Sequence, residues 1–476
     1  MKEKRTAFTH IDTVVLSIII VIGFLFRLYK FDIPLAEYYS WRQVESANIG
    51  TIALQENSVI TTIAGTKRTE PYFVEFPLYN SIFAFLDQVT PFFNLTIWGR
   101  LVSAFFSLAI IGVLYYLCLK EASRAVAIGA ALFYAIFPFS VFFSRTILPE
   151  TPALALVFMG IWFFYLYVRS SNVFLRGVLY VLSIIMITLG ILTKPTVAIY
   201  CLPLIVLFFR KYEISFVQKP LFYMYWLAIF IPFIIWMYLL GFPLPSTSNT
   251  SLFNNIATPE GKENIFLSPL YFKTVFFQRI NDTILGGFMS FMLLIGIISK
   301  QKKVFLHSFG ISALLSLAVF QGAHIQNAYY QLLILPAIAI FVGLGLSTVI
   351  HQSKNWMHPA LTYVTILCVT GLSWYFSYSI MKDYYTYSSD LIRIARIINT
   401  LTSADDLIVT DRSGDPTLLY LANRRGSAKT ENDLNDYKEQ GYRYFVTDNT
   451  ERIESIKLQN SYKVVFQNDK FALFQL

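Results

Sequence analysis

Charge is scarce in this chain. Asp, Glu, Lys and Arg make up 14% of its 476 residues, against about a quarter in a soluble globular protein. Cysteine is nearly missing, with three residues in all. Cys118, Cys201 and Cys368 fall inside apolar runs and form no C-x-x-C spacing. That excludes a disulfide framework or a cysteine-based metal centre and leaves the thiols as small apolar fillers. No internal repeat is visible, which argues against a transporter built from inverted halves. What is abundant is apolar surface: 55% of the residues are hydrophobic and 17% aromatic. The apolar runs approach the length that crosses hydrocarbon, so the chain reads as an α-helical polytopic membrane protein of about eleven transmembrane helices.

The formal charge of +9 does not point to nucleic acid, because of where it sits. Lys2, Lys4 and Arg5, then Lys120 and Arg124, Arg169 and Arg176, and Arg210, Lys211 and Lys219 lie in alternate short loops. Lys300, Lys302, Lys303 and Lys354 continue the series. This alternation follows the positive-inside rule and places the N-terminus in the cytoplasm of a multi-pass plasma (inner) membrane protein. The basic head before the first apolar run has no small-residue cleavage site and reads as an uncleaved span, with Arg27 snorkelling at its outer end.

Spans are expected at about 13–29, 97–119, 125–143, 152–168, 177–193, 195–209, 221–241, 283–299, 304–322, 328–350 and 359–380. Residues 30–96 form a large outer loop with apolar residues at helical spacing near 44–53 and 76–86, and 242–282 a second, irregular one. After Met381 charge rises sharply. A helix at Ser389–Leu401 and short β-rich runs at 407–410, 443–447, 463–466 and 471–476 predict a small C-terminal α/β soluble domain over 381–476. An odd number of spans puts that domain outside the cell.

Charge close to the apolar zone is costly, so cases that topology leaves unexplained are functional candidates. On the outer side these are Glu37, Arg42, Glu45, Glu75, Arg100, Arg145, Glu150 and Lys194. The plain alternative for each is a salt-bridged interfacial residue that fixes a helix end. Acids beside cations suit a reaction on a phosphorylated, lipid-carried substrate: Arg42, Arg100, Arg145 and Lys194 would hold phosphate, while a carboxylate deprotonates an acceptor hydroxyl. Glu45, His324 and Tyr330 are secondary or acceptor-side candidates. No dedicated metal-ligand cluster is visible and no cofactor is implied, although scattered carboxylates can bind a divalent metal.

Ordered along the chain are Arg27-Leu28-Tyr29, Ser40-Trp41-Arg42-Gln43, Glu75-Phe76-Pro77-Leu78, Gly99-Arg100-Leu101-Val102-Ser103, Ser144-Arg145 with Leu148-Pro149-Glu150, Leu192-Thr193-Lys194-Pro195, and Tyr329-Tyr330-Gln331 before Pro336. With these motifs residues 1–380 resemble the membrane-embedded C-type glycosyltransferases, especially the family 39-like relatives of protein mannosyltransferases and the lipid A aminoarabinose transferase. The resemblance implies the C-type glycosyltransferase fold and inverting transfer from a polyprenyl-phosphate-linked sugar to a glycan, lipid or protein acceptor. The family's usual mark is an Asp-Glu pair in the first outer loop; here that place reads Arg42-Gln43. In the Trp-Arg-Gln subgroup that residues 41–43 resemble, a nearby acid implies Glu37 as base, with Glu75 and Glu150 as alternatives. Two other readings are a transporter or flippase of a lipid-linked substrate and a non-catalytic assembly protein of the same fold.

Overall fold

The computed structural model describes residues 8–55, 75–90, 92–239, 268–299, 304–355, 357–430, 433–459 and 461–476. Most of the expected outer loop 242–282 therefore lies outside the described residues. The helices are α1 (His10–Arg27), α2 (Ser40–Gln55), α3 (Leu78–Val89), α4 (Leu95–Glu121), α5 (Arg124–Ile136), α6 (Pro138–Phe143), α7 (Glu150–Arg169), α8 (Val173–Thr193), α9 (Cys201–Tyr212) and α10 (Pro220–Leu239). They continue as α11 (Met289–Ile298), α12 (Val304–Val319), α13 (Gln321–Gln326), α14 (Leu335–Gln352), α15 (Pro359–Met381), α16 (Ser389–Leu401), α17 (Thr417–Leu421), α18 (Leu434–Glu439) and α19 (Thr450–Gln459).

Contacts divide the chain into two compact units, one of residues 1–31 and 100–384, the other of residues 32–99 and 385–476. Among the described residues, seven helices are long and apolar enough to cross a membrane, or eight when one bent pair counts as a span. The expectation of about eleven also counted shorter apolar helices, Val304–Val319 among them, and runs that the backbone breaks. The run at 125–143 splits at Phe137, whose extended backbone precedes Pro138 at the start of α6. The run at 195–209 begins as a 3-10 turn on Pro195. At 283–299, Gly286 and Gly287 adopt φ of +57° and +79°, and the helices on either side meet at 113°. Only glycine reaches such angles without strain.

In the first unit α7 packs on α8, α5 on α14 and α14 on α11. The α11–α14 contact is backbone on backbone. A Cβ at Gly296 would sit 1.8 Å from the Phe341 carbonyl oxygen, and one at Gly345 would sit 1.9 Å from that of Met292. Small residues at such crossings permit the close packing that holds helices together in lipid. Arg27 is fully buried and does not snorkel. It donates to the carbonyls of Gly23 (2.8 Å) and Ala135 (2.9 Å), meeting the orphan acceptors at the C-terminal end of α5. Cys118 is buried, but Cys368 lies exposed on α15.

The basic ends of α4, α7 and α9 converge on an acid that sequence reasoning passed over. Glu121, its side chain fully buried, accepts from Tyr165 (2.5 Å), Arg169 (2.9 Å) and Arg210 (2.9 and 3.0 Å). Arg124 likewise pairs with Asp12 at 2.7 Å. These cations bind helix ends together.

In the second unit α2 packs on α3, with Asn80 Nδ2 donating to the Ser46 carbonyl at 2.6 Å. The sheet has the order β2-β1-β3-β5-β4, with β1 (Leu407–Thr410), β2 (Arg425–Ser427), β3 (Tyr442–Thr447), β4 (Lys463–Gln467) and β5 (Ala472–Gln475). The first three strands run parallel, and β5 is antiparallel to both β3 and β4. Alternation decides the faces. Ile408, Val446 and Leu473 pack with α16 and α17, while Val409, Phe445 and Phe474 pack with α18 and α19. The expected runs at 407–410, 443–447, 463–466 and 471–476 correspond to β1, β3, β4 and β5. The three-residue β2 was not foreseen.

Candidate active site

In the second unit, the candidates gather where α2 begins and α3 is approached. Tyr39 takes a φ of +59°, which turns the chain into α2 at Ser40. The first turn of that helix carries Arg42 and the second carries Glu45. Arg42 Nη1 donates to Glu45 Oε2 at 2.5 Å, and Nη2 to the two oxygens of Glu75 at 3.2 and 3.0 Å. Glu75 lies three residues before α3, so one guanidinium ties the entries of both helices. These side chains are only 12–15% exposed, where a charged pair is much less screened than at an open surface. Glu37 is buried as well. Thr417, which begins α17, donates to Ser40 Oγ at 3.1 Å, seating α2 on the C-terminal α/β layer.

In the first unit, the candidates collect at the N-terminal end of α7 and the C-terminal end of α8. Pro195 disfavours the helical conformation for the residue before it. Lys194 accordingly ends α8 in an extended conformation with φ −155° and ψ 104°. Its Nζ lies 3.0 Å from Oε1 of Glu150, the first residue of α7. Glu150 is fully buried and Lys194 nearly so. Lys194 Nζ also lies 5.5 Å from the centroid of the Tyr330 ring, within cation–π reach. Arg145, buried between α6 and α7, has its guanidinium 5.5 Å from the Phe142 ring. Ser103 of α4 pins the same loop by donating to the Thr146 carbonyl at 2.8 Å. Arg100 is buried too, and donates to the Phe31 carbonyl at 2.7 Å.

His324 is held from several sides. Its Nε2 is 3.0 Å from Ser316 Oγ and its Nδ1 3.3 Å from Gln331 Nε2; its ring centroid is 6.2 Å from that of Tyr330. Gln331 also donates to the His324 carbonyl at 3.0 Å, and Arg279 donates to the carbonyls of His324 and Ile325. Burial, then the positive charge of Arg279, pushes the imidazole down from the ordinary 6.5 to about 3. His324 is therefore neutral in the folded protein at any physiological pH. Below pH 6.5 the unfolded chain takes up a proton that the folded chain refuses. The stabilisation from this group is complete above 6.5 and is lost as pH falls toward 3. Replacing His324 with Asn is expected to flatten the slope of melting temperature against pH between about 6.5 and 4, as thermal unfolding in detergent would read.

The structure thus brings Glu150, Lys194 and Tyr330 together, with His324 alongside, and separately Arg42, Glu45 and Glu75. Sequence reasoning missed Ser316 and Arg279 and gave Gln331, quoted only within a motif, no role; the hydrogen bonds of all three hold His324. Gln331, one residue beyond Tyr330, was the only one with a nearby signal. Among the described residues, no group of three or more His, Cys, Asp or Glu side chains is placed to hold a metal ion.

The profile of the family described as dolichyl-phosphate-mannose-protein mannosyltransferase matches residues 81–236. The structure superposes on ArnT from Cupriavidus metallidurans bound to undecaprenyl phosphate with a TM-score of 0.65 and 14% identity, covering 98% of each chain. The chain has the fold of the C-type membrane glycosyltransferases. Other C-type structures agree. The oligosaccharyltransferase of Archaeoglobus fulgidus matches with a TM-score of 0.56 and 12% identity, over 92% of this chain and 69% of that one. The mycobacterial arabinofuranosyltransferase AftD matches with a TM-score of 0.59 and 12% identity, over 97% of this chain but 39% of its own. No curated protein matches by sequence.

Proposed function

We propose that the protein is an inverting glycosyltransferase that moves a sugar from a polyprenyl-phosphate donor to an acceptor hydroxyl on the outer face of the plasma membrane. The observation that carries this reading is the buried Glu150–Lys194 pair, with buried Arg145 in the turn that leads to Glu150, in a fold shared with a protein solved bound to undecaprenyl phosphate. A lysine and an arginine held in a water-poor setting stabilise negative charge far better than they would in bulk solvent. The 20 residues of α7 span about 30 Å, roughly one hydrocarbon thickness. They separate this cluster from the basic end at Arg169 and Arg210. With that basic end in the cytoplasm, Lys194 and Arg145 lie at the outer surface, where a lipid-carried sugar can be met, and residues 381–476 form an extracytoplasmic α/β domain.

In the reaction the acceptor oxygen attacks the anomeric carbon from the side opposite the phosphate. The bond from that carbon to the phosphate oxygen breaks, its electron pair leaves with the polyprenyl phosphate, and a carboxylate takes the hydroxyl proton. Lys194 and Arg145 receive the phosphate, with Arg100 as a further cation. Glu150 keeps Lys194 in place, and Glu37 or Glu75 acts as base, with Arg42 and Glu45 orienting Glu75. Glu37→Gln and Glu75→Gln keep size and shape, so each variant should insert and fold. At least one is expected to lose 100-fold or more of sugar transfer from a radiolabelled polyprenyl-phosphate sugar, in keeping with removal of a general base. Wild-type transfer by both would overturn the base assignment.

A further inference from the structure

The C-terminal layer holds a second place where chemistry-bearing residues converge. Adjacent strands β1 and β3 are parallel, but the chain leaves them in opposite directions. After β1 it runs to α17, which packs on one face of the sheet. After β3 it runs to α19, which packs on the other. In open α/β sheets this divergence opens a crevice at the carboxyl ends of the two strands, and ligands bind there. Both strands end alike, in Val409-Thr410-Asp411 and Val446-Thr447-Asp448.

The side chains in that crevice are unusual in one respect. Asp411 Oδ2 accepts a hydrogen bond from Thr447 Oγ1, whereas Asp411 Oδ1 is buried and accepts none. A buried carboxylate oxygen without a donor costs folding energy and calls for a group that will supply one. Arg412 pairs with Asp448 at 2.9 Å, and Arg452 stands 3.9 Å from Asp411 Oδ2 with about a third of its side chain exposed. Two carboxylates and two guanidinium groups cancel, so an anion gains no net attraction here. The helix after β1 has five residues, too few to present a phosphate-binding N-terminus. Ser413 and Gly414, both at positive φ, turn the chain sharply after β1.

We propose that this crevice binds a neutral saccharide. Each sugar hydroxyl both donates and accepts: it can donate to Asp411 Oδ1 or Asp448 while accepting from Arg412 or Arg452, and the half-buried Arg452, which lies over the Phe445 ring, can swing aside to admit it. Asp415, in the same loop, accepts from Thr417 (2.9 Å from its backbone nitrogen), and Thr417 in turn donates to Ser40 at the start of α2. The crevice is thus tied to the helix that bears Arg42 and Glu45. Its role as an acceptor subsite rests on the transferase reading; saccharide binding itself does not.

The test is saturation-transfer NMR on the full chain in nanodiscs, with methyl α-mannoside, methyl β-galactoside and methyl β-N-acetylglucosaminide as probes and mannose 6-phosphate as the charged comparison. At least one neutral glycoside is expected to show transfer that falls tenfold or more in Asp411→Ala and in Arg412→Ala. Arg412 is the more exposed side chain and guards against a folding defect in the first variant. Absence of transfer to all three glycosides, transfer unchanged in both variants, or preference for mannose 6-phosphate would overturn the proposal. Release of sugar from the donor lipid to water is measured on the same wild-type sample. Glycoside binding without release sinks the transferase reading alone, and release without glycoside binding sinks this inference alone.

Discussion

Lys194→Ala is expected to lower sugar transfer by about 100- to 1,000-fold, the range seen when a single preorganised charge or donor is taken from a developing anion. The case rests on how the lysine is held. Pro195 keeps its backbone extended, Glu150 fixes its ammonium at 3.0 Å, and burial strips away the water that would otherwise screen it. Removing the lysine also leaves Glu150 as a buried carboxylate without its cation, which by itself costs about 3–5 kcal/mol of stability. The double variant Glu150→Gln, Lys194→Ala separates the two effects. It should recover most of the melting temperature lost in the single variant and none of the transfer. If it recovered both, the lysine would be a structural residue and the phosphate assignment would fall.

The second large effect is expected at the opposite end of α7. Glu121→Ala strands Arg169 and Arg210, which now converge on one carboxylate. Loss of one partner from a buried ion pair costs about 3–5 kcal/mol. Here the lower end applies, because the two arginine side chains keep 22% and 31% of their exposure and can turn toward solvent. Thermal unfolding should show a large drop for Glu121→Ala. The isosteric Glu121→Gln, which still accepts from Tyr165, should lose less. Equal and small losses in both would mean that the cluster adds little to the packing of α4, α7 and α9.

The two effects differ in kind. Glu121 binds helix ends together, so its loss should move stability and transfer in parallel. Lys194 is assigned to the reaction, so its loss should leave a transfer defect that no stabilising second change repairs.

The membrane class and most of the spans were legible along the chain, because apolar length is a local property that lipid reads directly. So were the helix at 389–401 and four of the five strands, through alternation with a period of two. The unexplained charges marked Glu150 and Lys194 as residues to watch. Sequence could not say where each charge finds its partner. Arg27 could snorkel or cap a neighbouring helix, and only the packing of α1 on α5 decided for the cap. Arg169 and Arg210 read as topology signals until the ends of three helices met at Glu121. Lys194 met Glu150 where the end of α8 reaches the start of α7, and His324 met Ser316 and Gln331 where the chain folds back on itself between consecutive short elements. An ion pair is set by the distance between two side chains in space, and a linear pattern carries that distance only when both partners lie on the same turn.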